Sequence, residues 1–312
     1  MRAPVIVPAQ SYGVRGAPAI LPTMPAGRKP RIAVVGAGSL GSALAVSLRA
    51  AGYIVSEIVS RNEKTSLRRA RTLARKVGAR TTILNQPEIT ADVIWFCVPD
   101  REITHVARAM SGKMRWMGKT TLHSSGALAS DALASLRRRG ANIASAHPLM
   151  TFVPGVIPSL GGVSFAVEGD ALAVRVVKGI VRTLGGRAFP IRKQDKPAYH
   201  AWGTFASPLL TSLLAATERV AKAAHISRSE ARRRVIPIVR QTVENYARQG
   251  AASGFSGPIV RGDTETVSRH LKTLRNVPEA AEVYRALARA ALRNLPVKNR
   301  GKLARVLSSR RT

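Results

Sequence analysis

The 312-residue sequence predicts an α/β chain in two parts, a parallel sheet covered by crossover helices followed by an all-helical half. Three observations carry this. From Arg31 onward short apolar runs alternate with Ala- and Arg-rich stretches of helical periodicity, a glycine-rich turn joins the first run to the first helix, and strand-like runs cease beyond Lys193. With 45% hydrophobic residues the chain is long enough for two packed cores.

Residues 1–30 hold four basic and no acidic residues among six prolines, which opposes a helix and leaves no apolar segment of signal or membrane-spanning length. They read as a flexible Pro-rich tail. Strands are expected at residues 32–35, 54–60, 93–98, 120–123, 142–146 and 163–167, with helices at 40–51 and 64–77 between them. A helix over 171–184, stopped by Gly185-Gly186, and a strand over 187–191 complete a first domain spanning 31–191. Residues 192–295 form the helical domain, expected to hold substrate and to associate with a second copy, and 296–312 a basic tail. Four glycines and a proline make 250–262 a loop, with Asp263 or Thr264 capping the next helix and Arg261 a candidate for a substrate anion or a dimer contact.

The strongest local signal is Gly36-Ala37-Gly38-Ser39-Leu40-Gly41, set between the first strand and an amphipathic helix. In that setting Gly36 permits a tight turn, Gly38 lets the backbone approach a pyrophosphate, Gly41 allows close helix–strand packing, and the amides of Ser39 and Leu40 open the helix toward phosphate. This is the fingerprint of a Rossmann dinucleotide-binding domain. The second strand ends in Ser60-Arg61-Asn62, where an NAD site would place a carboxylate on the ribose 2′-hydroxyl. Arg61 between two small polar side chains suits a 2′-phosphate instead, so the expected cofactor is NADP. Val98 and Pro99, at the end of the next central strand, are expected to flank it.

A net charge of +33, from 50 Lys and Arg against 17 Asp and Glu, must attract polyanions at low salt. The basic residues are spread over every expected helix, aromatics make up 4%, and zinc spacing is absent, so no specific nucleic-acid partner is expected. One cysteine, Cys97, lies in an apolar run; this excludes an intrachain disulfide framework and suits the cytoplasm. Six scattered histidines lack metal-ligand spacing, so no metal is expected.

Hydride transfer needs a proton donor beside the reacting atom. Candidates are Ser124 in His123-Ser124-Ser125-Gly126, His147 in His147-Pro148, and Lys196 and His200 in Asp195-Lys196-Pro197-Ala198-Tyr199-His200. The last run reads as a helix start capped by Asp195, with Lys196 and His200 four residues apart on one face.

Taken together, GAGSLG, SRN, VPD, HSSGAL, AHPL, DKPAYH and GPIVRGD resemble a bacterial family that joins a Rossmann-like domain to a helical domain of unknown function (number 2520), over about residues 31–290. That family is similar in plan to pyrroline-5-carboxylate reductase, ketopantoate reductase and the 6-phosphogluconate and 3-hydroxyacid dehydrogenases. The resemblance implies hydride transfer with a nicotinamide. The Lys196–His200 spacing is similar to the lysine and asparagine of the last two enzymes, where the lysine is acid or base; here histidine stands for asparagine, so either Lys196 donates the proton and His200 orients, or the reverse. The expected function is an NADP(H)-dependent reductase or dehydrogenase for a small anionic carbonyl, imine or hydroxyacid. Two alternatives stay open: an NADP-binding sensor or scaffold with an acidic partner, and a deazaflavin-linked NADP reductase.

Overall fold

The computed structural model describes residues 28–309, so most of the expected Pro-rich tail lies outside the described residues. The described chain divides into two compact units after Ala201.

In the first unit, strands β1 (Ile32–Val35), β2 (Val55–Ser60), β3 (Arg80–Ile83), β4 (Val93–Phe96), β5 (Thr120–His123), β6 (Asn142–Pro148), β7 (Ser164–Gly169) and β8 (Arg187–Pro190) form one sheet in the order β3-β2-β1-β4-β5-β6-β7-β8. Helices α1 (Ser39–Ala50), α2 (Lys64–Val77), α3 (Asp100–Ser111), α4 (Ala134–Arg137) and α5 (Ala171–Thr183) lie between the strands in sequence. The β1 residues are wholly buried because both faces of the sheet are covered, hence the unbroken Ile-Ala-Val-Val run. Alternate residues feed two apolar layers, Val34, Ile58 and Trp95 on one side and Val35, Val59 and Phe96 on the other. In register, Val34 sits between Ile58 and Trp95.

Two features depart from the sequence expectation. The sheet is parallel except that β6 and β7 pair antiparallel. Residues 149–163 between them contain no helix, and a parallel return needs a crossover that this segment does not supply. The second departure is β3, whose Arg-Thr-Thr-Ile sequence lacks apolar alternation. It adds to the sheet edge beside β2, pairing Thr81 with Ile58. Glu57, a wholly buried acid within β2, accepts hydrogen bonds from Thr90 N (3.0 Å), Thr90 Oγ1 (2.7 Å), Ser56 Oγ (2.7 Å) and Arg80 (3.2 Å). Burial alone would raise its pKa, but these four donors outweigh it and hold the carboxyl below its ordinary value.

The sequence places a boundary between residues 191 and 192; the two compact units divide ten residues later, within α6 (Lys196–Thr204). Asp195 does not cap that helix; it ends a 3₁₀ turn, Lys193–Asp195, and its carboxylate takes the Arg192 guanidinium at 2.6 Å. The second unit contains a π-helical turn with Pro208 inside (Phe205–Leu209), α7 (Leu210–Ala223), α8 (Arg228–Gly254), α9 (Pro258–Arg261), α10 (Thr264–Thr273), α11 (Pro278–Asn294) and α12 (Arg300–Ser308). Its core centres on Val267, Leu271, Leu303 and Leu307. The expected loop over 250–262 instead carries a break at Gly250 (φ 75°) inside α8 and the short α9. Asp263 caps α10, accepting from Thr266 N at 2.9 Å. Within the expected basic tail, residues 300–308 are α12, because Leu303 and Leu307, one turn apart, are wholly buried while Lys302 and Arg305 point outward.

Candidate active site

All the residues of this site lie in the first unit. Gly36 turns the chain out of β1 with φ +104°, where a Cβ would sit 2.8 Å from the Cys97 carbonyl oxygen; a Cβ on Gly41 would lie 2.0 Å from the Gly36 oxygen. These two glycines are required by close packing. A Cβ on Gly38 would meet nothing within 4 Å. Gly38 opens α1 without a capping side chain, so the positive end of the helix faces that space.

A cleft of about 250 Å³ runs from Gly36 and Gly38 past Val98 and Pro99 to Ser60 and Arg61. Ser66 and Arg69 of α2, and Arg101 and Glu102 of α3, line it as well, and the sequence reading had not selected them. Ser39 lines an adjoining cleft. Leu40 packs on the core, and Asn62 is exposed without lining either cleft. Arg61 is 59% exposed and forms an ion pair with Glu63 at 3.2 Å, whereas Arg69 has no ion-pair partner among the described residues. The cleft therefore offers a backbone cradle at Gly36 and Gly38 and three guanidiniums, of Arg61, Arg69 and Arg101, of which Arg61 and Arg101 pair with Glu63 and Glu102. That donor set fits a dinucleotide bearing an extra phosphate.

Beyond the cleft, the turn after β5 is held by a dense polar network. Ser124 is buried and accepts the Trp95 indole N–H at 2.7 Å, which commits its hydroxyl to the core. Ser125 Oγ donates to Asp100 at 2.6 Å and accepts from the Leu128 amide at 2.8 Å, while its own amide donates to His123 Nδ1 at 3.1 Å. His123 therefore carries its proton on Nε2, 3.0 Å from the Ala129 carbonyl oxygen, and burial holds its pKa down at about 4.

Lys196 is wholly buried; its ammonium donates to the Ser125 carbonyl oxygen (3.0 Å) and to Ser145 Oγ (2.8 Å). Burial lowers its pKa, against the opposing pull of Glu168 and Asp100. One turn on, His200 is exposed. It lies edge-on to His147, with ring centres 6.0 Å apart, and both rings press on Gly126: a Cβ there would be 2.6 Å from His200 Cδ2 and 2.9 Å from His147 Nε2. His147 Nδ1 lies 2.9 Å from the Tyr199 hydroxyl. Burial, then the charges of Lys196 and His200, hold the His147 pKa at about 4, and burial pushes that of Tyr199 up to about 12. Thus His147, Lys196 and His200 gather around the Ser125-Gly126 turn as expected candidates, Ser124 faces inward, and Tyr199, present in the DKPAYH run but unselected, joins them.

Cys97 is buried, and its thiol pKa is driven far up by that burial. Among the described residues no cluster of His, Cys, Asp and Glu could hold a metal ion, and no helix is long and apolar enough to cross a membrane.

Comparison with known proteins defines first a class and then a pairing. Residues 22–148 match the Rossmann-like domain. Residues 163–291 match the domain of unknown function DUF2520, so the chain carries both domains that its motifs resemble. The fold is similar to that of a Bacteroides fragilis protein assigned as an NADP oxidoreductase, with a TM-score of 0.72 at 20% identity over 84% of this chain and 97% of that one. It is also similar to an imine reductase from Myxococcus stipitatus in complex with NADP⁺ (0.62, 17%, 89% and 100%). Pyrroline-5-carboxylate reductase from Coxiella burnetii is a third likeness (0.55, 16%, 90% and 100%). A search of curated proteins gives no match.

Proposed function

We propose that this chain is an NADP(H)-dependent oxidoreductase acting on a small, anionic carbonyl, imine or hydroxyacid. The observation that carries the proposal is the single cleft joining the glycine cradle at Gly36 and Gly38 to Ser60, Arg61, Ser66 and Arg69. The names of the proteins sharing the fold, an NADP oxidoreductase and an imine reductase with NADP⁺, support the same cofactor. Bound NADP(H) would supply a hydride donor or acceptor.

The chain's own residues then have to place a proton. Of the two assignments the sequence leaves open, the geometry favours His200 as the proton-transfer group and Lys196 as the positioning one. Lys196 spends its donors on Ser125 and Ser145, out of contact with solvent, and so fixes the turn that ends in Gly126. His147 is neutral at physiological pH. Its Nδ1 lies against the Tyr199 hydroxyl, and its Nε2 is the atom set against Gly126 beside His200. Two imidazoles over a glycine provide a donor and a second ring to hold the substrate heteroatom. In this reading the helical unit also pairs with a second copy.

The test is a fluorescence titration and turnover screen with NADPH and NADH against a panel of 2-oxoacids and cyclic imines. Arg69→Ala should weaken NADPH binding about tenfold, the effect of one charge-assisted contact, and leave NADH unchanged. Equal loss for both cofactors, or no turnover by any panel member with tight NADPH binding, would refute the corresponding part of the proposal.

A further inference from the structure

The two sides of α2 face different surroundings. Ala70, Leu73, Ala74 and Val77 are buried, and Ser66 and Arg69 line the nucleotide cleft. The outer side carries Lys64, Arg68, Arg71 and Arg75, all exposed. Their spacing of four, three and four residues stacks them in one stripe about 16 Å long. The stripe borders an open groove of about 720 Å³ that extends to Ala79 and Thr81 at the start of the edge strand β3.

This stripe has no internal counter-charge. The nearby carboxylates are already engaged, Glu63 by Arg61 at 3.2 Å, and Glu57 and Glu88 by Arg80 at 3.2 and 3.5 Å. Helix α2 itself contains no acid, and among the described residues none of the four cations forms an ion pair. The other exposed side chains of α2 are Thr65, Arg69, Thr72 and Lys76, and the groove's apolar lining is the half-buried Leu67 with Ala74 and Ala79, without an aromatic group. A docked protein would need such an anchor, and a single strand would need a stacking platform. What remains is attraction to closely spaced phosphates, which each strand of a duplex presents at about 3.4 Å of rise along the helix axis and which guanidinium forks bind bidentately.

We propose that the outer face of α2 is a docking stripe for the phosphate backbone of double-stranded nucleic acid, read without regard to sequence, with Lys64, Arg71 and Arg75 outside the nucleotide cleft and Arg68 at the edge of the cleft that adjoins it. The full chain is titrated against a fluorescein-labelled, mixed-sequence DNA duplex of about 20 base pairs, by anisotropy, between about 50 and 200 mM NaCl, the range over which phosphate contacts declare themselves. The triple variant Lys64→Gln, Arg71→Gln, Arg75→Gln is compared with Arg175→Gln, Lys178→Gln, Arg182→Gln on α5, whose three cations are also exposed on one helix. Each lost phosphate contact removes about 0.9 from the slope of log affinity against log salt, so the α2 triple should flatten it by about 2.7 and the single Arg75→Gln by a third of that. The α5 triple should change it by less than about one. Unchanged circular dichroism and NADPH binding show that the variants are folded. The proposal is overturned if both triples flatten the slope equally, if the wild-type chain does not bind duplex at about 100 mM salt, or if poly-L-glutamate of matched charge binds more tightly than duplex.

Discussion

Gly126 is the residue on which the site's geometry turns, because two imidazoles occupy the space where any side chain would begin. The Gly126→Ala methyl would have to displace the His200 ring, the His147 ring or the turn itself. Displacements on the order of 1 Å cost about a hundredfold in turnover when they fall on proton-transfer groups. The expected outcome is therefore a loss of kcat of about that size with NADPH affinity held, since the cleft at Gly36 and Arg69 is built from other segments. A variant with full kcat, measured under saturating cofactor, would remove the His147–His200 pair from the reaction. Sequence spacing brought out Lys196 and His200 because they are one helical turn apart. It could not reveal that Lys196 is locked onto Ser145 and Ser125, which are 51 and 71 residues away, or that the Ser124 hydroxyl is taken by Trp95, 29 residues upstream. Those facts depend on which strands become neighbours. Arg69 escaped selection for a simpler reason: it sits in a helix with five other cations, and only the fold decides which of them faces the cleft.

Among the elements, those buried on both faces were the readable ones. Strands β1 and β4 announce themselves as apolar runs, and the glycine turn fixes α1 between β1 and β2. The edge strand β3 does not, since Arg-Thr-Thr-Ile owes its place to a charged group rather than to apolar alternation. Glu57 collects donors from Arg80 at the head of β3 and from Thr90 in the segment leading to β4. The substitution Glu57→Gln keeps the volume but removes the charge and turns one acceptor into a donor among donors, a change that costs about 2–4 kcal/mol when the group is buried. Amide hydrogen exchange should show the loss first at β3 and residues 84–92, with the urea midpoint falling by that energy divided by the m-value. Unchanged protection there would mean that β3 is held by its ladder to β2 alone. The β6–β7 reversal was equally hidden in sequence, because a connection of fifteen residues without helical periodicity says only that no crossover helix is present.

At the scale of the whole molecule two tendencies oppose each other. Helix α7 buries no residue and α8 only Ala231, although the part of α8 ahead of its break at Gly250, residues 228–249, is about 33 Å long. Ile238, Val243 and Tyr246 of α8 are exposed, as are Phe205 and Leu209 ahead of α7. Helices gain most of their stability from packing an apolar face, so these faces call for a covering surface, and a second copy of the chain is the one expected. Against this, each copy carries a formal charge of +33, and two such chains repel strongly in dilute buffer. Raising the salt from about 0.01 to about 0.15 M shortens the screening length from about 30 to about 8 Å, which weakens the repulsion and leaves apolar burial untouched. Association should therefore rise with salt, the opposite of the response expected for duplex binding at α2, so the two can be told apart in one titration series. Light scattering at micromolar concentration should show twice the chain mass at the higher salt and a smaller average mass at the lower. The double variant Ile238→Ser, Tyr246→Ser should stay at the single-chain mass in both buffers. A wild-type chain that remains at the single-chain mass under both conditions would show that α7 and α8 are stable with their apolar faces in water, and pairing through this unit would have to be abandoned.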